Sequence, residues 1–334
     1  MREGGLAAAS ARKRVRAAGT PTAQPGRFPR VADPMFRLAH LTDPHVGPIS
    51  RPRLRQLMSK RATGWVNWNR GRRLGHDMDV LAALVADMQG LAPDHVACTG
   101  DLCNIGLPSE WETARLFMEL LGDPGQVSFV PGNHDAYVRG SLEGLLQAVG
   151  AWTCDDAGAS KAFPYLRRRG PVALVGLSSA IPTAPFVATG RLGSRQLAAA
   201  ERMLAGLAAE APAPCRVVMI HHPPHVGGAK PGRQLTDAAA FEAMIGRAGA
   251  DLVLHGHNHV GSIAFLMGPR GRRVPVVGAP SASASAHGRA FKHGAGYHLY
   301  TVSPTGSGYR IEALMRGLTP DGTMADFATL TLSG

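Results

Sequence analysis

The chain is short of cysteine, short of acid and without a long apolar run, and each shortage closes off a class of protein. Its four cysteines, Cys98, Cys103, Cys154 and Cys215, form no CxxC pair. A disulfide scaffold and a thiolate zinc cluster are therefore excluded, and the cysteines read as reduced thiols of a cytoplasmic protein. No apolar stretch approaches the ~20 residues that a membrane-spanning helix needs. At the N-terminus GGLAAAS is brief, and the charged ARKRVR follows it, which is the wrong order for a signal peptide. There is no internal repeat, and no Pro- or Ser-rich linker divides residues 35 to 315, so one domain is expected over that span, with 316–334 as a C-terminal extension.

What is present is enough apolar material for a sizeable core, 45% hydrophobic against 18% charged residues in 334. The formal charge of +12 raises a nucleic-acid or anionic-surface partner, but two segments carry most of it. Residues 1–34 hold seven Lys or Arg and two acids, a net of 7 − 2 = +5, spaced by Gly, Pro, Ala and Ser without apolar periodicity. That composition reads as a disordered basic tail. Met35 stands directly before the apolar FRLAHL and is a candidate start of the native chain. The second segment, RPRLRQLMSKRATGWVNWNRGRR at 51–73, has eight basic residues, no acid, and Trp65 and Trp68. It forms most of an insert over residues 46–76.

Along the rest of the chain short apolar runs alternate with amphipathic stretches, the pattern of an α/β protein. FRLAHL (36–41), HVACT (95–99), VSFV (127–130), VALVGLSS (172–179), RVVMI (216–220) and DLVL (251–254) read as strands. Helices are expected through VLAALVADM after an Asp77 or Asp79 cap, over SEWETARLFMELL opened by its Ser, from about Ser194, and near 237–247. VPVVGA, YHLYTV and YRIEAL add more strands than one doubly wound sheet requires, so two packed sheets are expected.

The stretch LVLHGHNHV at 252–260 sets His255, His257 and His259 at intervals of two beside a buried strand. A lone histidine is more often a hydrogen-bonded core residue, and clustered imidazoles need either partners or a metal. Four further strands end in metal-competent residues: Asp43 with His45, Asp101, Asn133 with His134, and His221 with His222. In open α/β sheets the carboxyl ends of strands converge on one crevice, so residues far apart in sequence reach one spot. Five such endings are not five ordinary turns.

In DPH (43–45), GDLCN (100–104), GNHD (132–135), HHPP (221–224) and GHNH (256–259), all in this order over roughly residues 36–280, the chain resembles the calcineurin-like metallophosphoesterases. The resemblance implies a four-layer α/β/β/α sandwich with two mixed β-sheets and a dinuclear centre at one end of them. It places one metal on Asp43, His45, Asp101 and His259 and a second on Asp101, Asn133, His221 and His257, with Asp101 bridging. His221 rather than His222 matches the family's His-x-Pro spacing through Pro223. Oxygen and nitrogen donors without thiolate suit two divalent ions such as Mn, Fe, Zn or Co. The activity implied is hydrolysis of a phosphodiester or pyrophosphate by attack of a metal-bridging hydroxide at phosphorus. His134, oriented by Asp135, is expected to assist the leaving group, and His255 to lie behind the ligands or in the core.

The basic insert leaves the sheet beside Asp43 and His45, at the rim of this site. Two readings stay open for it: a lid whose guanidinium groups clamp phosphate while its tryptophans stack on a base or enter lipid, or a solvated basic helix anchored by Trp65 and Trp68. PSASASAHGR (280–289) is a candidate further loop. The expected substrate is a small phosphoester: a cyclic nucleotide, a glycerophosphodiester or a nucleotide or lipid-linked pyrophosphate. The last of these would be hydrolysed at an anionic membrane surface met by the insert. A nucleic-acid-binding module is the non-enzymatic alternative, with nucleic acid not expected as the main partner.

Overall fold

Side-chain alternation along the strands decides the layering. In the first strand, β1 (Phe36–Leu41), Phe36 and Leu38 point to one core while Ala39 and Leu41 point to another, as the period of two requires. The computed structural model describes residues 35–158, 162–285 and 294–333; the expected basic tail at 1–34 lies outside them.

Two six-stranded mixed sheets result. In the first, β1, β2 (His95–Cys98) and β3 (Val127–Phe129) run parallel, and β10 (Gly296–Thr305), β11 (Gly308–Leu318) and β12 (Met324–Ser333) extend the other edge antiparallel. In the second, β5 (Val172–Gly176), β6 (Cys215–Met219), β7 (Leu252–His255) and β9 (Arg273–Gly278) are parallel. Antiparallel β4 (Tyr165–Arg169) and β8 (Ser262–Met267) close its edges. The sheets meet through Leu38, Val302, Ile311, Leu174, Val217 and Leu254. Residues 316–333, expected as an extension, are the end of β11 and the edge strand β12.

Helices cover the outer faces and complete four layers. On the first sheet lie α3 (Met78–Gly90), α4 (Pro108–Leu121) and α5 (Ser141–Val149); on the second lie α6 (Ser194–Ala208) and α7 (Ala238–Ala248). The buried stripe of α3, Leu81, Leu84, Val85 and Met88, follows helical spacing, and each such side chain contributes about 1.5–3 kcal/mol on leaving water. Asp77 is its cap, accepting the amides of Asp79 and Val80. Helix α4 departs from the expected Ser-led start. It begins at Pro108, and buried Glu110 folds back to accept the amides of Asn104, Ile105 and Leu107. That carboxylate fixes the loop after β2, which lies against the site.

The insert contains α1 (Arg61–Asn67), a π-helical turn over Trp68–Arg72 and α2 (Arg73–Gly75). Trp68 is buried with Ile49, Ile105, Leu107 and Tyr137, and Trp65 packs against the same group. Trp68 is therefore an anchor, while Trp65 leans on the same group and stays part-exposed.

Candidate metal centre

The parallel strands of both sheets end on the same side of the sandwich, so the loops after β1, β2, β3, β6 and β7 form one rim. Backbone bonds stitch them: Asp43 N to Gly100 O at 3.0 Å, His45 N to Asp101 O at 3.0 Å and Gly256 N to His221 O at 3.0 Å. Two glycines allow that approach. Gly100 has φ 108, and a Cβ there would lie 2.5 Å from His221 Nδ1; a Cβ on Gly256 would overlap Thr42 and Asp43.

All seven expected ligands come together. His259 Nε2 lies 3.2 Å from Asp43 Oδ1 and 3.4 Å from His45 Nε2, while His45 Nε2 is 3.7 Å from Asp101 Oδ2. On the other side of Asp101, His221 Nε2 is 3.4 Å from Oδ2, 3.2 Å from Asn133 Oδ1 and 3.3 Å from His257 Nδ1. Donors bound at ~2.1 Å to one ion stand roughly 3 to 3.5 Å apart, so these spacings are those of chelating edges. Asp101 Oδ2 is common to both groups.

Hydrogen bonds on the far side of two rings fix how their donor atoms point. Carbonyl oxygens can only accept, so His45 Nδ1, 3.0 Å from Cys103 O, and His221 Nδ1, 2.7 Å from Thr99 O, carry the protons. Both Nε2 atoms are thereby turned toward the cluster, the arrangement that orients histidine ligands. Asp43 Oδ1 is buried without a hydrogen bond, while Oδ2 accepts from Thr42 Oγ1 and His257 N. Asp43, His45, Asp101, His257 and His259 all have φ between 42° and 70°. Non-glycine residues seldom adopt this conformation, and such strain gathers where geometry serves a site.

Electrostatics agree with a cluster awaiting positive charge. Burial opposes ionisation of Asp101, yet His221 and His134 hold its carboxyl well below the usual range. Burial likewise opposes a charge on His221, but Asp101 and Asp43 raise it to about 9. Burial, then Arg72 and His76, drive His45 far below its ordinary value, and burial with Arg72 takes His134 down to about 3.

Neighbouring residues sort themselves by their bonds. His222 is held by Ser179 Oγ at 2.7 Å and Ala188 O at 3.1 Å, so His221 is the one that faces the cluster. His255 is buried behind it with Nδ1 near Gly256 O. Asp135 does not orient His134, contrary to expectation: it accepts the amides of Asp101, Cys103 and Gly132, which fixes the loops instead. His134 Nδ1 goes to Asn104 O at 2.5 Å. Ser281 and Ser283, from the expected further loop, hold Asp43 O and His76 Nδ1; the rest of that loop, 286–289, lies outside the described residues.

Three cations at the centre were not singled out in the sequence. Arg72, brought inward by the π turn and the non-helical Gly71, sets one guanidinium nitrogen 2.9 Å from His134 Nε2 and the other 3.1 Å from His45 Nε2. Arg233 reaches in from the second sheet's side, and Lys60 lies 4.8 Å above the Tyr137 ring. A cavity of about 520 Å³ over Asp101, Asn133, His257 and His259 adjoins one of about 600 Å³ on the His134 side. Arg72 could have been suspected within the basic insert. Arg233 sits in a polar loop with no pattern to mark it.

The sandwich and its strand-end cluster define an α/β protein with a candidate two-ion centre of oxygen and nitrogen donors. The profile of the calcineurin-like phosphoesterases matches residues 36–261, and the chain belongs to that family. Among solved structures it is similar to purple acid phosphatase from yellow lupin (Lupinus luteus) seeds, at 14% identity and a TM-score of 0.56, over 90% of this chain and 54% of that one. NAD nucleotidase of Haemophilus influenzae is similar at 12% identity and a TM-score of 0.45, over 89% and 54%. The 5′-nucleotidase precursor of Thermus thermophilus is similar at 16% and 0.43, also over 89% and 54%. The chain thus spans about half the length of these structures, and the lupin likeness speaks for the fold. No curated protein matches the chain.

Proposed function

We propose that the chain is a metal-dependent phosphoester hydrolase that cleaves a phosphodiester or pyrophosphate bond, with two divalent ions as cofactors. The observation that carries this reading is the convergence of Asp43, His45, Asp101, Asn133, His221, His257 and His259 with chelating spacings between their inward-facing donor atoms. A pair of bound dications supplies Lewis-acid charge for the phosphate oxygens and lowers the pKa of water held there.

The protein's own groups do the rest. Asp43 and Asp101 contribute −2 in charge, which leaves a doubly charged metal pair with net attraction for a phosphate. Carbonyls of Cys103 and Thr99 hold two imidazoles in the ligating tautomer. His134 assists the leaving group: its Nδ1 is committed to Asn104 O, and its Nε2 aligns the Arg72 guanidinium toward the cavity. Arg72 and Arg233 orient the phosphate by charge-assisted hydrogen bonds.

The test is hydrolysis of bis(p-nitrophenyl) phosphate. Turnover is expected with added Mn²⁺, to be abolished by chelation, restored by readdition and lost in Asn133→Ala. Turnover that survives chelation removes the proposal.

A further inference from the structure

The most exposed large apolar side chains of the molecule are gathered in one place. Among the described residues they are Phe186 at 91%, Met58 at 86%, Leu54 at 85% and Leu74 at 69%. Three belong to the basic insert. The fourth is tied to it, because Lys60 Nζ bonds Thr183 Oγ1 at 2.7 Å and Val187 O at 2.9 Å, on either side of Phe186. Phe186 and exposed Val66 line the cavity of about 600 Å³ on the His134 side, so this apolar face borders the mouth of the site. Single exposed leucines are ordinary on a surface, whereas a concentration of them marks a contact.

The charge around these side chains has one sign. Residues 46–76 and 180–189 contain no Asp or Glu. Three cations of the insert are used inside the fold: Lys60 as above, Arg61 on the carbonyls of Ile105 and Gly106, and Arg72 on His45 and His134. The other five, Arg51, Arg53, Arg55, Arg70 and Arg73, are exposed. None of them forms an ion pair among the described residues, whereas Arg115, Arg168, Arg247 and Arg316 each do. Arg53 and Arg55 flank Leu54, and Arg73 precedes Leu74, so cation and apolar group alternate along the chain.

An occupant of this face must accept guanidinium and aliphatic groups together. Residues 1–34 carry a net charge of +5 and a second copy presents the same five arginines, so charge opposes both. Nucleic acid satisfies arginines and stacks its bases on rings, but Leu54, Met58 and Leu74 offer no ring. An anionic bilayer surface has both halves, phosphates for the arginines and the acyl boundary for the aliphatic chains. We propose that the chain docks on an anionic lipid membrane through this face, with Leu54, Met58, Leu74 and Phe186 entering the headgroup layer and the exposed arginines beside them meeting lipid phosphates. The contact is peripheral, since among the described residues no helix is long and apolar enough to cross a membrane. It brings the mouth of the metal centre to the lipid surface. The proposal goes beyond the hydrolase reading and its test reads binding, so either can fail without the other.

The experiment is cosedimentation of the full chain with vesicles of equal parts phosphatidylcholine and phosphatidylglycerol, against phosphatidylcholine alone. Binding to the anionic vesicles is expected to fall with added salt and to exceed binding to the neutral ones about 100-fold. Leu54→Ser with Met58→Ser is expected to weaken it about 10-fold, and Arg53→Gln with Arg55→Gln about 30-fold. Circular dichroism checks each fold, and Arg73→Gln with Leu74→Ser replaces a pair that does not fold. Leu116→Ser with Leu120→Ser, exposed on α4, is expected to change nothing. Absence of binding, equal binding to both vesicles, or an equal loss in the α4 pair overturns the proposal. Binding kept in full by either insert pair also overturns it, because the contact then lies elsewhere, as on basic residues 1–34. Retention by a single-stranded oligonucleotide without vesicle binding makes nucleic acid the partner, and self-association lost in the Leu54 and Met58 pair without vesicle binding makes it a second copy; each overturns the proposal.

Discussion

Arginines at the mouth of the site and arginines on the outer layers are the same residue in opposite circumstances. On the outer layers several find oxygen. Arg216 and Arg272 share buried Asp251, Arg316 joins Asp87 and Asp326, and Arg167 is buried with its guanidinium bonded to the carbonyls of Cys154, Pro124, Val127 and Ala151. At the mouth, among the described residues, Arg72 meets imidazole nitrogens and Arg233 a backbone carbonyl at 3.5 Å. The charge of the first group is met within the fold; the second group is the one proposed to meet a phosphate. A formal charge of +12 therefore says little until each cation's partner is known.

The contrast predicts that substitutions at the centre remove activity and spare stability, while those on the outer layers do the reverse. The largest effect is expected for Asp101→Ala, which removes the carboxylate common to both ligand groups. Turnover of bis(p-nitrophenyl) phosphate should fall about 10⁴-fold, roughly 5 kcal/mol, with circular dichroism unchanged. Next comes Asp251→Ala, which strips Arg216 of its buried counter-charge. Urea unfolding should show a loss of about 3 kcal/mol, with turnover per folded molecule at the wild-type level.

Arg72→Met should lower kcat/KM about 30-fold, near 2 kcal/mol, with no fall in Tm. A Tm drop with normal turnover would make Arg72 a structural cation like those outside. The smallest effect is expected for Asp87→Asn, about 1 kcal/mol. Arg316 and Tyr297 hold the Asp87 carboxyl below its ordinary value, Arg316 most strongly, against partial burial. A depressed folded-state value stabilises the fold above the ordinary pKa, about 3.9, and that stability is lost as pH falls through the folded value. The Tm gap between wild type and variant should thus be full at neutral pH and close in acid. A gap independent of pH would contradict this account of the pair.

Much of the fold was legible because burial imposes period. Leu81, Leu84, Val85 and Met88 announced α3, and the apolar runs at 36–41 and 127–130 announced strands whose carboxyl ends had to converge. Asp43, Asp101, Asn133 and the histidines were legible since each follows such a run directly. The start of α4 was not, because Glu110 acts by reaching back to three amides that only the folded loop presents. Asp135 misled for a related reason: adjacency to His134 suggested a partner, while the turn directs its carboxylate to the amides of Gly132, Asp101 and Cys103. Strands β4, β8 and β12, rich in Arg or half-exposed at sheet edges, lack a clean alternation. Arg233 joins the centre through tertiary contact alone, and no local pattern reports that.

The central claim is that seven donors from five strand ends bind two ions. Titrating metal-free protein with Mn²⁺ in a calorimeter tests it most directly, with His257→Ala as the companion. Two equivalents are expected for the wild type and one for the variant; a wild-type stoichiometry of one or less would contradict the account.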